Sequence, residues 1–447
     1  MASGNVLRRG YGVHTFKAAT QFRSLRARAA AGLGASLSRP ASATHAGVAA
    51  SGVVAMLSAV SILNVWRPVH PIAYLALIVM ACAALGVIVP DLLWQKVHRR
   101  VLVAAAAPGN WQRSLTKLVG LVGAVGFVAA LYWLFPEYHN GKAFYGNCVV
   151  ALEVVLPIWA LCAAPYLYWI DRRVAEPQDG LWHMGRLVTL QWSGLDFQKA
   201  FQYQLGWLVK GFFLPLMFTY FCTELDKLLN YNVHLLVTFK GFYEWAYFTL
   251  YFIDVAWVSM TYILSLKVCD THIRSTEPTM AGWVAALLCY QPFWSLVSDH
   301  YIDYSGSKMW GDVFNGSPWL GTLWGGVILA LVAVYVWATI SFGARFSNLT
   351  HRGIITNGPY RYSKHPAYLA KNLSWWLISM PFLATDDLGM TLRRCALLAL
   401  LNAVYFMRAK TEERHLAADP VYVQYSDWMT RHGLLRWFSP VGSRLFR

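Results

Sequence analysis

Charge is what this sequence has least of. Only 13% of its 447 residues are charged and 57% are hydrophobic, whereas an ordinary soluble domain carries roughly 25% charged residues. That imbalance excludes a single large soluble domain. Acidic residues are the scarcest, 22 Asp and Glu against 38 Lys and Arg, and the first 45 residues hold seven Arg or Lys with no acid at all. The seven cysteines are scattered, mostly in or beside apolar runs and without CxxC spacing, so neither a disulfide framework nor a metal site is expected. No internal repeat is visible, which leaves an inverted-repeat transporter without positive support.

What fills the chain is a series of apolar runs, each near the ~20 residues that span a bilayer's hydrocarbon as a helix. The hydropathy pattern predicts an all-α polytopic membrane protein of about ten transmembrane helices. They fall near Ala46 to Trp66, Pro71 to Pro90, Ser114 to Phe135, Cys148 to Ile170, Leu205 to Thr223, Tyr243 to Leu266, Met280 to Ser298, Trp319 to Ser341, Ala367 to Ala384 and Leu388 to Arg408. Lys371, Asn372 and Ser374 interrupt the ninth. Glu153, Lys210 and Asp254 are isolated charges inside runs, fitting a polar cavity or a transport path.

The net charge of +16 could suggest nucleic acid, but its distribution excludes that partner. Basic residues cluster in alternate connections, while the segment from Asp299 to Pro318 carries three Asp against one Lys. By the positive-inside rule both termini are expected in the cytoplasm, in keeping with an even number of spans, and the membrane expected is the cell (inner) membrane with the active site facing the cytoplasm. The basic N-terminal arm suits either anionic headgroups or a targeting peptide. Three regions follow: an arm over 1–45, a multi-span region over 46–318, and a distinct C-terminal membrane domain over 319–447.

Two polar clusters in that last region carry the chemistry. The first runs Asn357-Gly358-Pro359-Tyr360-Arg361-Tyr362-Ser363-Lys364-His365-Pro366-Ala367-Tyr368. Asn-Gly-Pro signals a turn. His365-Pro366 forces an extended residue and then a helix start, whose free N–H groups can seat an anion. The second is Arg408-Ala409-Lys410-Thr411-Glu412-Glu413, followed by Tyr422 and Tyr425. Arg408 and Glu412 share a helix face at four-residue spacing. The intervening hairpin is short enough to bring Glu412 and Glu413 back beside His365. Taken singly, each residue has a structural reading: His365 as a helix cap, the tyrosines as interfacial anchors, the glutamates as solvated charges.

Taken together and in this order, the two clusters resemble the C-terminal half of the isoprenylcysteine carboxyl methyltransferase and phospholipid methyltransferase superfamily, with its GPY, HPxYxG, RxxxEExxL and YxxY elements. The resemblance covers about Trp337 to Trp428. It implies S-adenosylmethionine as cofactor, with Tyr360, His365, Pro366 and Tyr368 lining its pocket, Glu412 and Glu413 completing it, and Arg408 and Glu413 at the reacting end. The acceptor it implies is a membrane lipid or another lipidated or amphiphilic molecule: a prenyl-cysteine carboxylate, a phospholipid amine or a thiol. Lys364, Ala370 and Asp419-Pro420 depart from the pattern and bear on the acceptor. Sterol-type reductases that use NADPH share an HPxYLG-like motif and form the alternative enzyme class. A transporter or receptor without chemistry is the non-enzymatic one.

Overall fold

A computed structural model describes residues 38–103, 108–135, 142–298, 301–304, 309–383, 387–434 and 436. In chain order its helices are α1 (Ala46–Trp66), α2 (Ile72–Leu93), α3 (Trp111–Leu134), α4 (Lys142–Asp171), α5 (Gly180–Val188), α6 (Phe197–Leu229) and α7 (Phe239–Ile263). They continue as α8 (Met280–Leu287), α9 (Phe293–Ser298), α10 (Trp310–Val313), α11 (Pro318–Ile340), α12 (Pro366–Ser379), α13 (Leu388–Leu416) and α14 (Pro420–His432). The only paired strands among the described residues, β1 (Ser275–Thr276) and β2 (Thr350–His351), form one short antiparallel ribbon with Ser275 opposite His351. With 74% of the described residues helical, the protein is an all-α polytopic membrane protein.

Helix starts follow local chemistry. Asn110, Asp196 and Thr238 each accept a backbone N–H from the first turn of the helix they precede, satisfying donors that a helix N-terminus leaves free. Among the described residues, eight helices are long and apolar enough to cross a bilayer: α1 to α4, α6, α7, α11 and α13. The two remaining expected spans are shorter. Met280 to Ser298 is divided at Gln291-Pro292 into α8 and α9, because proline removes a helix donor and crowds the preceding turn. The ninth is the 14-residue α12, about 21 Å long at 1.5 Å per residue and so short of a ~30 Å hydrocarbon slab. Thr385 and Asp386, between α12 and α13, lie outside the described residues, as does most of the N-terminal arm.

The core gathers α1, α2, α6 and α7 around Trp257, which is fully buried. Close helix approach depends on small residues, as expected where lipid competes equally for apolar side chains. A Cβ on Gly52 would come within 2.7 Å of the Trp257 ring, and one on Gly86 within 2.8 Å of the Ala55 methyl. α11 packs on α7 and on α12, which sets the C-terminal helices directly against this core.

Candidate active site

The segment between α11 and α12 is held from several sides. Arg345 is buried and faces Asp91 of α2 at 3.3 Å and Asp270 at 3.6 Å. Arg352, also buried, donates to the carbonyls of Thr271 (2.6 Å), Thr261 (2.9 Å), Phe346 (2.8 Å) and Leu264 (3.0 Å). One guanidinium thus ties off the C-terminal end of α7, whose last carbonyls have no helical partner. Residues 38–44 run along the same segment: Ala43 N–H donates to Ile354 O, Thr356 Oγ1 to Pro40 O at 2.8 Å, and Asn357 Nδ2 to Thr44 O at 2.8 Å. Gly358, at φ +54°, has no room for a side chain, since a Cβ would stand 2.4 Å from Ser341 Oγ.

Pro366 opens α12 and is buried, with His365 and Ala367 on either side of it facing a cavity. α13 returns to the same place. His365 Nε2 lies 3.1 Å from Glu413 Oε1, and its Nδ1 lies 3.9 Å from Glu412 Oε2. Tyr368 donates a short hydrogen bond to Glu412 Oε1, which also receives Arg408 Nε at 3.4 Å. Arg408 is buried, donates to Asn348 Oδ1 at 2.6 Å, and has its guanidinium over the rings of Tyr290 (5.4 Å) and Tyr368 (5.2 Å). Cation–π contact of this kind holds a desolvated charge in place.

Tyr360, His365, Tyr368, Arg408 and Glu412 all line this one cavity. Glu413 does not. It stands behind His365, where Lys364 (3.2 Å) and Lys410 (3.2 Å) share its carboxylate, an arrangement that orients the imidazole. Tyr425 donates to Tyr360 O at 2.7 Å and so docks α14 on the motif. Burial pushes the Tyr360 and Tyr422 phenols far above their ordinary range, so both are neutral hydrogen-bonding groups. Tyr422 Oη, buried on the cavity wall, has no partner among the described residues.

The rest of the wall carries no motif. Met217 of α6, Asp254 and Val258 of α7, Glu277, and Gly282 of α8 line the cavity together with Tyr290 and Asn348. Lys371 lines it too, and it and Asp254 left a trace in the sequence, Asp254 as a charge inside an apolar run and Lys371 as an interruption of the ninth one. Asn348, Glu277 and Tyr290 left none, because their significance lies in contacts with residues far along the chain.

The donor set suits S-adenosylmethionine. Glu412 can accept from hydroxyl or amino groups, Arg408 can face a carboxylate, and Phe342, Tyr360 and Tyr425 offer flat apolar walls to a purine. Tyr422 Oη is a buried group still in need of a partner. No curated protein and no solved structure matches the chain significantly. Residues 320–418, however, match the model of the isoprenylcysteine carboxyl methyltransferase (ICMT) family, so the C-terminal part of this chain is similar to that family, a likeness that supports a membrane methyltransferase.

Proposed function

We propose that the protein transfers a methyl group from S-adenosylmethionine to a lipidic or small amphiphilic acceptor. The observation that carries this reading is the convergence of His365, Tyr368, Arg408 and Glu412 on one cavity at the mouth of the α12–α13 hairpin, inside the region that matches the family. Bound there, the cofactor would supply a methyl already activated on a sulfonium. The chain then has to align two reactants and keep water out. Glu412, steadied by Tyr368 and Arg408, would hold the cofactor's hydroxyl or amino groups. Arg408 would pair with a carboxylate of cofactor or acceptor. His365 would touch the cofactor, with Glu413 fixing its ring from behind.

A cofactor made in the cytoplasm and too polar to cross lipid calls for a cytoplasmic site. The basic run from Arg345 to Lys364 and the basic residues after Arg408 fit that side, in a cell inner membrane. An apolar acceptor would enter from the bilayer past the hairpin, where Leu373 and Phe406 are exposed.

The deciding measurement is calorimetric titration of the purified protein with S-adenosylhomocysteine, the unreactive product form. Micromolar binding supports the reading, and binding of NADPH instead would replace it. For sidedness, Tyr362→Cys and Lys410→Cys, both at exposed positions, are expected to resist impermeant reagents in intact cells and to react in opened membranes. Labelling from outside would overturn the cytoplasmic placement.

A further inference from the structure

Past Arg408 the cavity continues into an inner chamber that the motif residues do not account for. Its walls are Asp254, Tyr335, Lys371 and Tyr405, with Thr339 beside them. Asp254 is 6% exposed. Tyr335 donates a short hydrogen bond to its Oδ2. Thr339 is close enough to act on the same carboxylate, but its hydroxyl reaches its own helix at Tyr335 O, 3.5 Å away. Asp254 Oδ1 is left buried without a hydrogen-bond partner among the described residues.

Lys371 is the complement. Its ammonium sits 5.4 Å from the Tyr335 ring, 5.3 Å from Trp375 and 5.7 Å from Tyr405. The aromatic faces hold the charge in position but accept none of its hydrogen bonds in the ordinary sense. Five residues into α12, it is turned to the same chamber as Asp254. A buried acceptor without a partner is costly, and together with an ammonium that has no hydrogen-bond partner among the described residues and faces the same space, it calls for something bound there that satisfies both.

We infer that this inner chamber seats the polar head of the methyl acceptor, and that the head carries a hydroxyl or amine that donates to Asp254 Oδ1, next to a carbonyl or phosphoryl oxygen that accepts from Lys371 Nζ. This rests on the methyltransferase reading and adds the acceptor's chemistry to it. A head that is only a carboxylate could satisfy Lys371 but would set a second anion against Asp254.

The test uses the full chain in detergent and three soluble probes that differ only at the head: N-octanoylethanolamine, its O-methyl ether and octanoate. A hydrogen bond to a charged group makes binding at least about tenfold tighter, so calorimetry is expected to rank the alcohol above the ether by that factor, with octanoate weakest. In Asp254→Asn the amide oxygen turns to Tyr335 and its NH2 replaces the unpaired acceptor, so the alcohol and ether should bind alike. Lys371→Met is expected to weaken both while keeping their ratio. S-adenosylhomocysteine affinity, unchanged in both variants, reports that the fold survives. Equal binding of alcohol and ether to the unaltered protein, a ratio unmoved by Asp254→Asn, or octanoate binding tightest would each overturn the assignment. Loss of S-adenosylhomocysteine binding in the unaltered protein would instead count against the methyltransferase reading, since the probes are titrated without it.

Discussion

Two buried charge clusters in this protein are built from the same residue types and finished differently. At the foot of α3, α4 and α5, Lys117 meets Asp171 at 2.7 Å and Asp179 at 3.7 Å, Arg113 adds a second contact to Asp171 at 2.6 Å, and Lys267 closes on Asp179. Burial alone would raise the Asp179 carboxyl, yet Lys267 and Lys117 beside it hold it below the usual range. Between α7, α11 and α12 the facing charges of Asp254 and Lys371 do not close on each other, and a cavity lies between them. A closed cluster fastens helices, and an open one waits for a ligand. The difference is legible only in the partners each atom has.

Removing a charge from the closed cluster should have the largest effect. Lys117→Met leaves Asp171 with Arg113 alone and Asp179 with Lys267 alone, a loss bounded above by about 3–5 kcal/mol, the cost of a buried charge stripped of its only partner. Thermal unfolding of the solubilised protein should show a large drop in midpoint; an unchanged midpoint would make that cluster ornamental. At the cofactor end of the cavity, His365→Ala should leave the unfolding midpoint near that of the parent while S-adenosylhomocysteine affinity falls at least about tenfold, roughly 1.4 kcal/mol. A variant that unfolds instead would place His365 with the fasteners. Glu413→Gln comes next. Because Glu413 acts on His365 from behind and does not line the cavity, about a threefold loss of affinity is expected, within the range of one hydrogen bond. A loss equal to that of His365→Ala would place the carboxylate in direct contact with the cofactor.

The smallest effect is one of pH. Burial holds the buried His351 imidazole below its ordinary value, outweighing the pull of Asp419 at 3.2 Å. The unfolded chain therefore binds a proton more readily than the folded one, and stability should decline as pH drops below about 6.5, the ordinary histidine value. His351→Gln should flatten that slope in melting curves taken from pH 7 to pH 5. A slope of opposite sign would mean that Asp419 dominates and that the imidazole is charged in the fold.

Most of the membrane architecture was legible because a lipid-spanning helix needs only length and apolarity, both local properties. The hairpin's pairing of His365 with Glu412 and Glu413 was legible for a related reason: the two clusters flank one short excursion, and a helix that leaves a surface and returns brings its ends together. Where the reading fell short, the cause was tertiary. Nothing near Asn348 announces that Arg408 will reach it, and nothing in α7 announces that Asp254 will face Lys371, 117 positions later by their numbers. Lys371 was visible only as a flaw in an apolar run, and its neighbours Tyr335 and Tyr405 passed as ordinary membrane aromatics.

The lacing of residues 38–44 along the motif segment bears on how the protein is made. Pro40 and Thr356 are joined by a hydrogen bond across 316 positions of sequence, so the strand that braces the site leaves the ribosome long before the loop it braces. Until Ile354 and Asn357 arrive, the Ala43 N–H and the Thr44 carbonyl lack these partners, and the intervening helices must be inserted while that short stretch waits at the membrane surface. Long-range closure of this sort is slow. Completion of the site is then the last act of assembly, and a bulky fusion placed just ahead of Ser38 should delay the appearance of ligand binding without delaying membrane insertion.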